Sequence, residues 1–283
     1  FRSVCIFKNV ALLQGYSDVQ IDTWWGVFSG KYKLLINVPI SIASAMAASS
    51  VPTLTASFAE NDMESVRSQI NAATRFVMVI AFPCTIGLAV LGEPIFRLLF
   101  PGTAQTAPMA AMMMYVGAFA VVFYAMSTLS NGLLQGINRM KIPVTNAAIS
   151  LVAHVILLVI LMLFFHLQIY AVVIANMFFA LMMCVMNSMA IRKYSGYKQE
   201  VIKTFAIPAL ASAIMGIVTW LFYHGCYVLL KSNAISTVLS IIIAAIVYAV
   251  TLLLFKGLTE EEILRFPKGA LLVRIAKKLH LLR

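Results

Sequence analysis

The chain has 283 residues, of which 62% are hydrophobic and 11% are charged, and its mean hydropathy is +0.94. A soluble domain carries about a quarter charged residues, so this composition excludes the soluble globular classes and indicates a membrane protein. The net charge of +11 does not predict nucleic-acid binding, because the basic residues lie at the ends of apolar stretches and no basic-aromatic motif accompanies them. Membrane lipids with acidic headgroups are the expected partners of that charge.

Seven stretches of the chain are apolar enough to cross a bilayer, which takes about 20 residues. In chain order, we predict spans at 32–58, 71–92, 108–130, 144–165, 169–191, 205–230 and 235–255. The connection at 93–107 is partly apolar and predicts a short helix along the membrane surface, and the tail segment 258–266 predicts a capped helix. The predicted fold class is an all-α polytopic membrane protein with about seven transmembrane helices.

Lysine and arginine are concentrated in alternate connections between these spans. The basic connections are 59–68, 131–143, 192–203 and the tail after residue 255. The connections between them hold only Arg97 and Lys231. Because Lys and Arg are retained on the cytoplasmic side during insertion, we expect a multi-pass membrane protein with its C-terminus inside the cell.

The segment 1–30 would then lie on the outer side of the membrane, opposite the cytoplasm. It contains no signal peptide, no full-length span and no initiating Met, so nothing in it explains its transfer across the bilayer. We therefore expect the chain to be the C-terminal part of a longer polytopic protein. The predicted organisation is an outside segment at 1–30, a five-span lobe at 31–191, and two further spans with a basic cytoplasmic tail at 192–283.

The ionisable residues of the spans form no catalytic or metal-binding pattern. None of the ten acidic residues lies in the middle of a span, so we predict no catalytic residues, no metal site and no cofactor. His154 lies four residues after Ser150 in the fourth span. It would bind a polar substrate or relay protons in one interpretation, but an interhelical hydrogen bond is favoured, because no acidic residue or cysteine accompanies it. The chain is not expected to be an enzyme.

The first span is unusually polar for a helix in contact with lipid. Its polar residues Lys31, Lys33, Asn37, Ser41 and Ser44 recur near helical spacing and predict one polar face. Positive charge is otherwise nearly absent on the outer side of the membrane, so one interpretation is that at least one of the two lysines binds an anion in a cavity. In the other interpretation, both lysines only extend to the headgroup region.

Small residues in the same span predict close contact with a neighbouring helix. They are Ala43, Ala45, Ala47 and Ala48. Pro39 and Pro52 each remove a backbone hydrogen bond and allow a bend where a helix lines a cavity.

Three segments of the chain resemble a known family. They are SGKYKLLINVPISIASAMAASSVPTLTASFAEND, AATRFVMVIAFPCTIGLAVLGEPIFRLLFPG and LSNGLLQGINRMKIPVTNAAISLVAHVIL. The chain from about residue 29 to residue 191 resembles the polysaccharide-transporter branch of the multidrug/oligosaccharidyl-lipid/polysaccharide (MOP) exporter superfamily. The likeness is to the stage V sporulation protein B-like flippases, relatives of the lipid II flippase. The last two spans match this pattern less closely but are correctly placed.

The resemblance implies a fold of two six-helix lobes around a central cavity, with two extra helices in some branches. The seven spans would be the eighth to fourteenth helices, so that the first lobe and the seventh helix are missing. In members of the family, a basic residue that meets the pyrophosphate of the substrate precedes the proline of this span. Lys33, six residues before Pro39, is the nearest match in this chain, and Lys31 is the alternative. Arg would bind a pyrophosphate bidentately, whereas Lys binds it as a point charge, so the exact substrate stays open.

The expected function is a flippase or exporter that moves a lipid-linked oligosaccharide or peptidoglycan precursor by alternating access. Lys31 or Lys33 would attract the pyrophosphate, and Asn37 and Ser41 would hydrogen-bond to the headgroup or sugar. The expected partners are this lipid-linked substrate, membrane lipids and the missing N-terminal lobe. Two alternatives remain: a multidrug or organic-cation exporter of the same superfamily, against which the absence of carboxylates in the spans counts, and a truncated membrane protein that transports nothing.

Overall fold

A computed structural model describes residues 2–102, 105–255 and 257 of the chain. These residues form ten α-helices. Their bounds are α1 Arg2–Leu13, α2 Asp18–Val27, α3 Lys33–Ala59, α4 Met63–Leu99, α5 Ala107–Gly117, α6 Ala120–Gly136, α7 Lys141–Leu163, α8 Gln168–Ser195, α9 Ile207–Leu230 and α10 Asn233–Leu254. Two π-helical turns, Phe28–Tyr32 and Ile202–Ala206, lead without a break into α3 and α9. The predicted tail helix at 258–266 lies outside the described residues.

Six helical segments in these ranges are long and apolar enough to cross a membrane. A seventh span is present if α5 and α6, which meet at an angle of 53°, are counted as one bent span. The bend was not predicted, and α6 continues past the predicted end of the third span to Gly136. The structure confirms the all-α polytopic fold with about seven membrane helices.

The first spanning helix is longer than hydropathy predicts. It begins at Asp18 rather than Tyr32 and runs for 42 residues to Ala59 through α2, the π-helical turn and α3. The Ser17 hydroxyl accepts a hydrogen bond from the Gln20 backbone N–H, and the Gln20 side chain accepts one from the Ser17 backbone N–H. Such a reciprocal cap starts a helix whatever the hydropathy of its first turns, which is why the apolar pattern alone placed the start too late.

The prediction of a separate surface helix at 93–107 was wrong, because the first part of this segment belongs to α4, which continues to Leu99. A salt bridge of 2.6 Å between Arg97 Nη2 and Glu93 Oε1 joins residues four apart in its last turns. Pairs at this spacing stabilise a helix by about 0.2–0.5 kcal/mol. The connection to α5 is therefore shorter than the sequence suggested.

Small residues bring α3 and α6 into close contact. A Cβ atom added to Gly132 of α6 would lie 2.7 Å from the Ala47 Cβ of α3, so no larger residue fits there without a shift. Ala43 and Ala47 are buried in this contact, as predicted, whereas Ala45 and Ala48 lie on the exposed side of α3. Close packing of small residues is a common basis of helix association in membranes.

α4 lies between two groups of helices. It packs against α3, α5 and α6 and also against the α9–α10 hairpin, while α7 packs on α8 and α1 contacts both α7 and α8. α3 therefore meets the bundle only with its inward side, which leaves the other side of the helix uncovered.

The ends of α3, α6 and α8 and the starts of α4, α7 and α9 form one end of the bundle, which we call the basic end. Thr55 of α3 donates to the Gly136 carbonyl at the end of α6 (3.1 Å), and Arg75 of α4 donates to the Gly257 carbonyl after α10 (2.7 Å). Most basic residues of the described chain lie here. They are Arg67, Arg75, Arg139, Lys141, Arg192, Lys193, Lys198 and Lys203.

A buried hydrogen-bond network joins α6, α7 and α8. Asn146 Nδ2 donates to Asn187 Oδ1 (2.8 Å), and Asn187 Nδ2 donates to Ser130 Oγ (3.1 Å) and Asn131 Oδ1 (2.7 Å). Side-chain amides that hydrogen-bond across helices hold membrane bundles together. No pattern in the sequence predicted this polar contact between α7 and α8.

His154 does not make the predicted interhelical hydrogen bond. Neither ring nitrogen has a hydrogen-bond partner among the residues that the structure describes. The ring instead meets Phe179 of α8 edge-on, with centroids 6.2 Å apart. The polar link between α7 and α8 is made about two turns away, by Asn146 and Asn187, which explains why the prediction was wrong.

Candidate substrate-facing surface

One face of α3 is both exposed and polar. Lys33, Asn37, Ser41 and Ser44 are exposed on it. Residues three or four apart lie above one another on a helix, so these side chains form a continuous stripe, which we call the α3 polar face. Exposed apolar residues border the stripe, namely Leu34, Val38 and Ile42.

The two lysines near the start of α3 have different neighbours. Lys33 is exposed, and its Nζ lies 5.0 Å from the centroid of the Phe28 ring. Lys31 is half-buried, and its Nζ lies 5.4 Å and 5.7 Å from the rings of Phe96 and Phe100 at the end of α4. Both lysines lie within cation–π distance of an aromatic ring, but Lys33 is exposed and Lys31 is half-buried between α3 and the end of α4. Only Lys33 therefore belongs to the α3 polar face.

The π-helical turn before α3 sets the position of Lys33. The Lys33 backbone N–H donates to the Phe28 carbonyl five residues earlier, and such turns occur frequently at functional sites. Tyr32 is buried and donates to the Gly117 carbonyl (3.1 Å) at the bend between α5 and α6. At a rise of about 1.5 Å per residue, this anchor lies about 15 Å from the start of α5. Lys33, the next residue, therefore lies within the bundle rather than at its end, which favours the interpretation in which this lysine faces a cavity.

The neutral groups of the α3 polar face retain hydrogen-bonding capacity. Ser41 Oγ donates to the Val38 carbonyl of its own helix (2.7 Å), which leaves its oxygen able to accept. Asn37 is exposed, and its side-chain amide forms no hydrogen bond with another group in the described part of the chain. A side-chain amide offers two donor hydrogens and an acceptor oxygen. The face therefore combines one cation with neutral donors and acceptors, which suits an anion that carries polar substituents.

A charged contact outside the stripe was not predicted. Lys8 Nζ of α1 lies 3.5 Å from Asp18 Oδ1 and 3.3 Å from Asp22 Oδ1 at the start of α2. The three groups are solvent-exposed, and exposed ion pairs contribute about 0–1 kcal/mol. No local pattern reveals this contact, because its partners come from two helices separated by a turn.

The fold and this surface define a class of protein, the multi-pass helical membrane proteins in which one long helix presents a polar face away from its own bundle. In transporters, the helices of a lobe present such a face where they line a cavity. The sequence model of the lipid II flippase MurJ family matches residues 32–232, a range that contains α3 to α9 and ends before α10. Because this match includes more than half of the chain, the protein belongs to the lipid II flippase MurJ family, and the resemblance noted from its sequence is confirmed.

Two curated relatives support this assignment. The chain is 23% identical over 218 residues to the lipid II flippase MurJ of Bacillus subtilis (strain 168), an alignment that covers 75% of this chain and 39% of that protein. It is 29% identical over 189 residues to the probable lipid II flippase MurJ of Bdellovibrio bacteriovorus, covering 64% of this chain and 35% of the relative. The chain thus spans less than half the length of these relatives.

Proposed function

We propose that the chain is the C-terminal lobe of a flippase that moves a lipid-linked sugar pyrophosphate, a peptidoglycan precursor of the lipid II class, across the bacterial cytoplasmic membrane by alternating access. Its family membership and the α3 polar face support this proposal. The family consists of transporters rather than catalysts of chemical reactions, so the side chains of this surface are assigned to binding and to no chemical step.

The observation that carries the proposal is the polarity of the uncovered side of α3. A lysine at the centre of a membrane helix costs about 2.5–3.5 kcal/mol against lipid, and the cost falls toward the membrane surface. Lys33 therefore favours a surface that meets water or an anion. A second lobe facing this side would enclose a hydrated cavity. Lys33 would attract the pyrophosphate there, and Asn37 and Ser41 would hydrogen-bond to the headgroup or sugar. Lys31, held against Phe96, would contribute less.

The same proposal fixes an orientation. Lys and Arg are retained on the cytoplasmic side during insertion, so the basic end would face the cytoplasm and the C-terminus would lie inside the cell. Lys33 then lies toward the outer half of the membrane. The basic residues near the cytoplasmic surface would attract the acidic headgroups of that leaflet.

Substitution of Lys33 in the complete gene product tests the proposed role. Hydrogen bonds to charged groups contribute about 1.5–3 kcal/mol, so Lys33→Gln should lower the rate of precursor flipping by about tenfold or more. Lys31→Gln should lower it less, and Lys231→Gln, on the exposed turn before α10, should leave it unchanged. The measurement is the fraction of lipid-linked precursor in intact cells that an externally added cleaving enzyme can reach.

Equal rates for Lys33→Gln and Lys231→Gln would show that the α3 polar face does not bind the substrate. The same variants separate the remaining exporter alternative. If the cargo were an organic cation, removal of the Lys33 charge would relieve repulsion and raise its transport instead of lowering it.

A further inference from the structure

Two clefts adjoin each other at the basic end, between α4, α8 and the turn before α9. The larger has a volume of about 580 Å³ and is lined mainly by apolar side chains. These include Ile70, Met126, Cys184, Val185, Met189 and Phe205. The smaller has a volume of about 430 Å³ and is lined by polar and charged residues, among them Arg67, Ser68, Asn71, Lys198 and Glu200. Tyr197 and Lys198 border both clefts, so an apolar and a charged compartment share one wall.

The end of α8 builds this shared wall. Gly196 adopts the left-handed conformation with φ +67, and its N–H donates to the Arg192 carbonyl (3.0 Å), which ends the helix and turns the chain. The next residue, Tyr197, is buried, and its hydroxyl donates to Asn71 Oδ1 of α4 (3.0 Å). Burial raises the pKa of the Tyr197 phenol to about 12, so the hydroxyl keeps the proton that it donates to Asn71 even well above neutral pH.

Three cations surround the wall without acidic partners. Arg192 lines the apolar cleft, Arg67 the polar cleft, and Lys198 both. All three are exposed, and none forms an ion pair within the described part of the chain. Glu200 also lines the polar cleft, so the cations exceed the acidic charge there. Basic residues at a helix C-terminus stabilise the helix, which accounts for Arg192 but not for the paired clefts beside it.

We propose that the two clefts bind a glycerophospholipid with a net negative headgroup from the membrane leaflet at the basic end. One acyl chain occupies the apolar cleft, and the phosphate lies at the shared wall beside Lys198, with Arg67 in the polar cleft and Arg192 in the apolar cleft. An amphiphile is the ligand class that matches an apolar compartment next to a cationic one. No residue of α3 lines either cleft, so this lipid site is separate from the α3 polar face and does not depend on the proposed transport activity.

Lipid binding to the purified chain tests this site directly. The chain is transferred to a neutral detergent and titrated with dioleoyl phosphatidylglycerol or dioleoyl phosphatidylcholine, and bound lipid is counted by native mass spectrometry. Phosphatidylglycerol should bind about tenfold more tightly, a difference of about 1.4 kcal/mol, because the cations beside the clefts attract its net negative headgroup. Equal binding of the two lipids by the unmodified chain would overturn the proposal without any variant.

Matched variants then locate the bound lipid. Arg192→Gln with Lys198→Gln should lower phosphatidylglycerol affinity about tenfold. The control pair, Arg139→Gln with Lys141→Gln, removes the same charge from the basic end. Neither residue lines a cleft, so this pair should have little effect on phosphatidylglycerol affinity. Val185→Trp should weaken binding by filling the apolar cleft while leaving every charge in place.

Two results would overturn the location. If the control pair weakens binding as much as the cleft pair, the lipid responds only to general surface charge. If Lys33→Gln weakens it instead, the lipid occupies the α3 polar face and the clefts are not its site.

Discussion

α3 and α10 are both long enough to cross a membrane, yet they expose opposite kinds of surface. The exposed polar residues of α3 include Lys33, Asn37, Ser41, Ser44 and Ser49. The exposed residues of α10 are mostly large and aliphatic, such as Ile235, Val238, Ile241, Ile242 and Ile246. The inward sides are reversed as well, because α3 buries small alanines and α10 buries the hydroxyls of Ser236, Thr237 and Ser240.

This reversal shows what each helix is built to face. Two buried hydroxyls of α10 donate to carbonyls of the same helix, Ser240 to Ser236 (2.6 Å) and Thr251 to Val247 (2.6 Å). Thr237 donates to the Asn233 side chain (3.4 Å), whereas Ser236 Oγ has no partner among the described residues. The aliphatic outer side of α10 then suits hydrocarbon. Polar side chains on the outer side of α3 would lose hydration against lipid, so this helix suits water or a second lobe.

The largest expected difference between the two surfaces comes from adding a charge to each. Ile242→Lys on α10 should weaken membrane insertion by about 2.5–3.5 kcal/mol, the cost of a lysine at a helix centre in lipid. Ser44→Lys, at a comparable position along α3, should cost much less if the α3 polar face meets water. The inserted fraction can be measured with glycosylation sites placed in the flanking connections. Equal losses would mean that lipid covers both faces.

A smaller effect is expected on the inward side of α3. Gly132→Ala should destabilise the bundle by about 1–3 kcal/mol through overpacking, because the new Cβ would lie 2.7 Å from the Ala47 Cβ and 3.2 Å from its Cα. Gly87→Ala on α4 is the control, since nothing lies within 4 Å of its added Cβ, and it should stabilise the helix by roughly 0.5–1 kcal/mol. Thermal unfolding of the purified chain in detergent should show shifts of opposite sign, and shifts of the same sign would contradict close packing of α3 and α6.

The smallest effect is expected from removing one of the side-chain hydrogen bonds that join α10 to α4. Tyr248 donates to the Val79 carbonyl (2.7 Å), and Tyr248→Phe should lower stability by about 0.6 kcal/mol, the average for such bonds in a membrane bundle. Tyr227→Phe on α9, where the side chain is 47% exposed, should change it less. The same unfolding measurement compares them, and a larger loss for Tyr227→Phe would mean that α10 is not held in this way.

Much of this fold could be predicted from the sequence because the signals are local. Apolar stretches of about 20 residues mark membrane helices, and a spacing of four residues places Lys33, Asn37 and Ser41 on one face of a helix. The alanines show the limit of such reasoning. All four lie in one span, but only contact with Gly132 of α6 decides that Ala47 is buried while Ala48 is not.

The sequence by itself determined the membrane class, the family and the polar stripe on α3, since each depends on composition, motif or helical period within one segment. Tertiary structure decided which lysine joins that stripe, because the Lys31 side chain packs on Phe96 from a distant helix. It also created the paired clefts, where Tyr197 reaches Asn71 across more than a hundred residues of chain. Contacts between residues far apart in sequence arise only when helices pack, and no pattern within one helix encodes them.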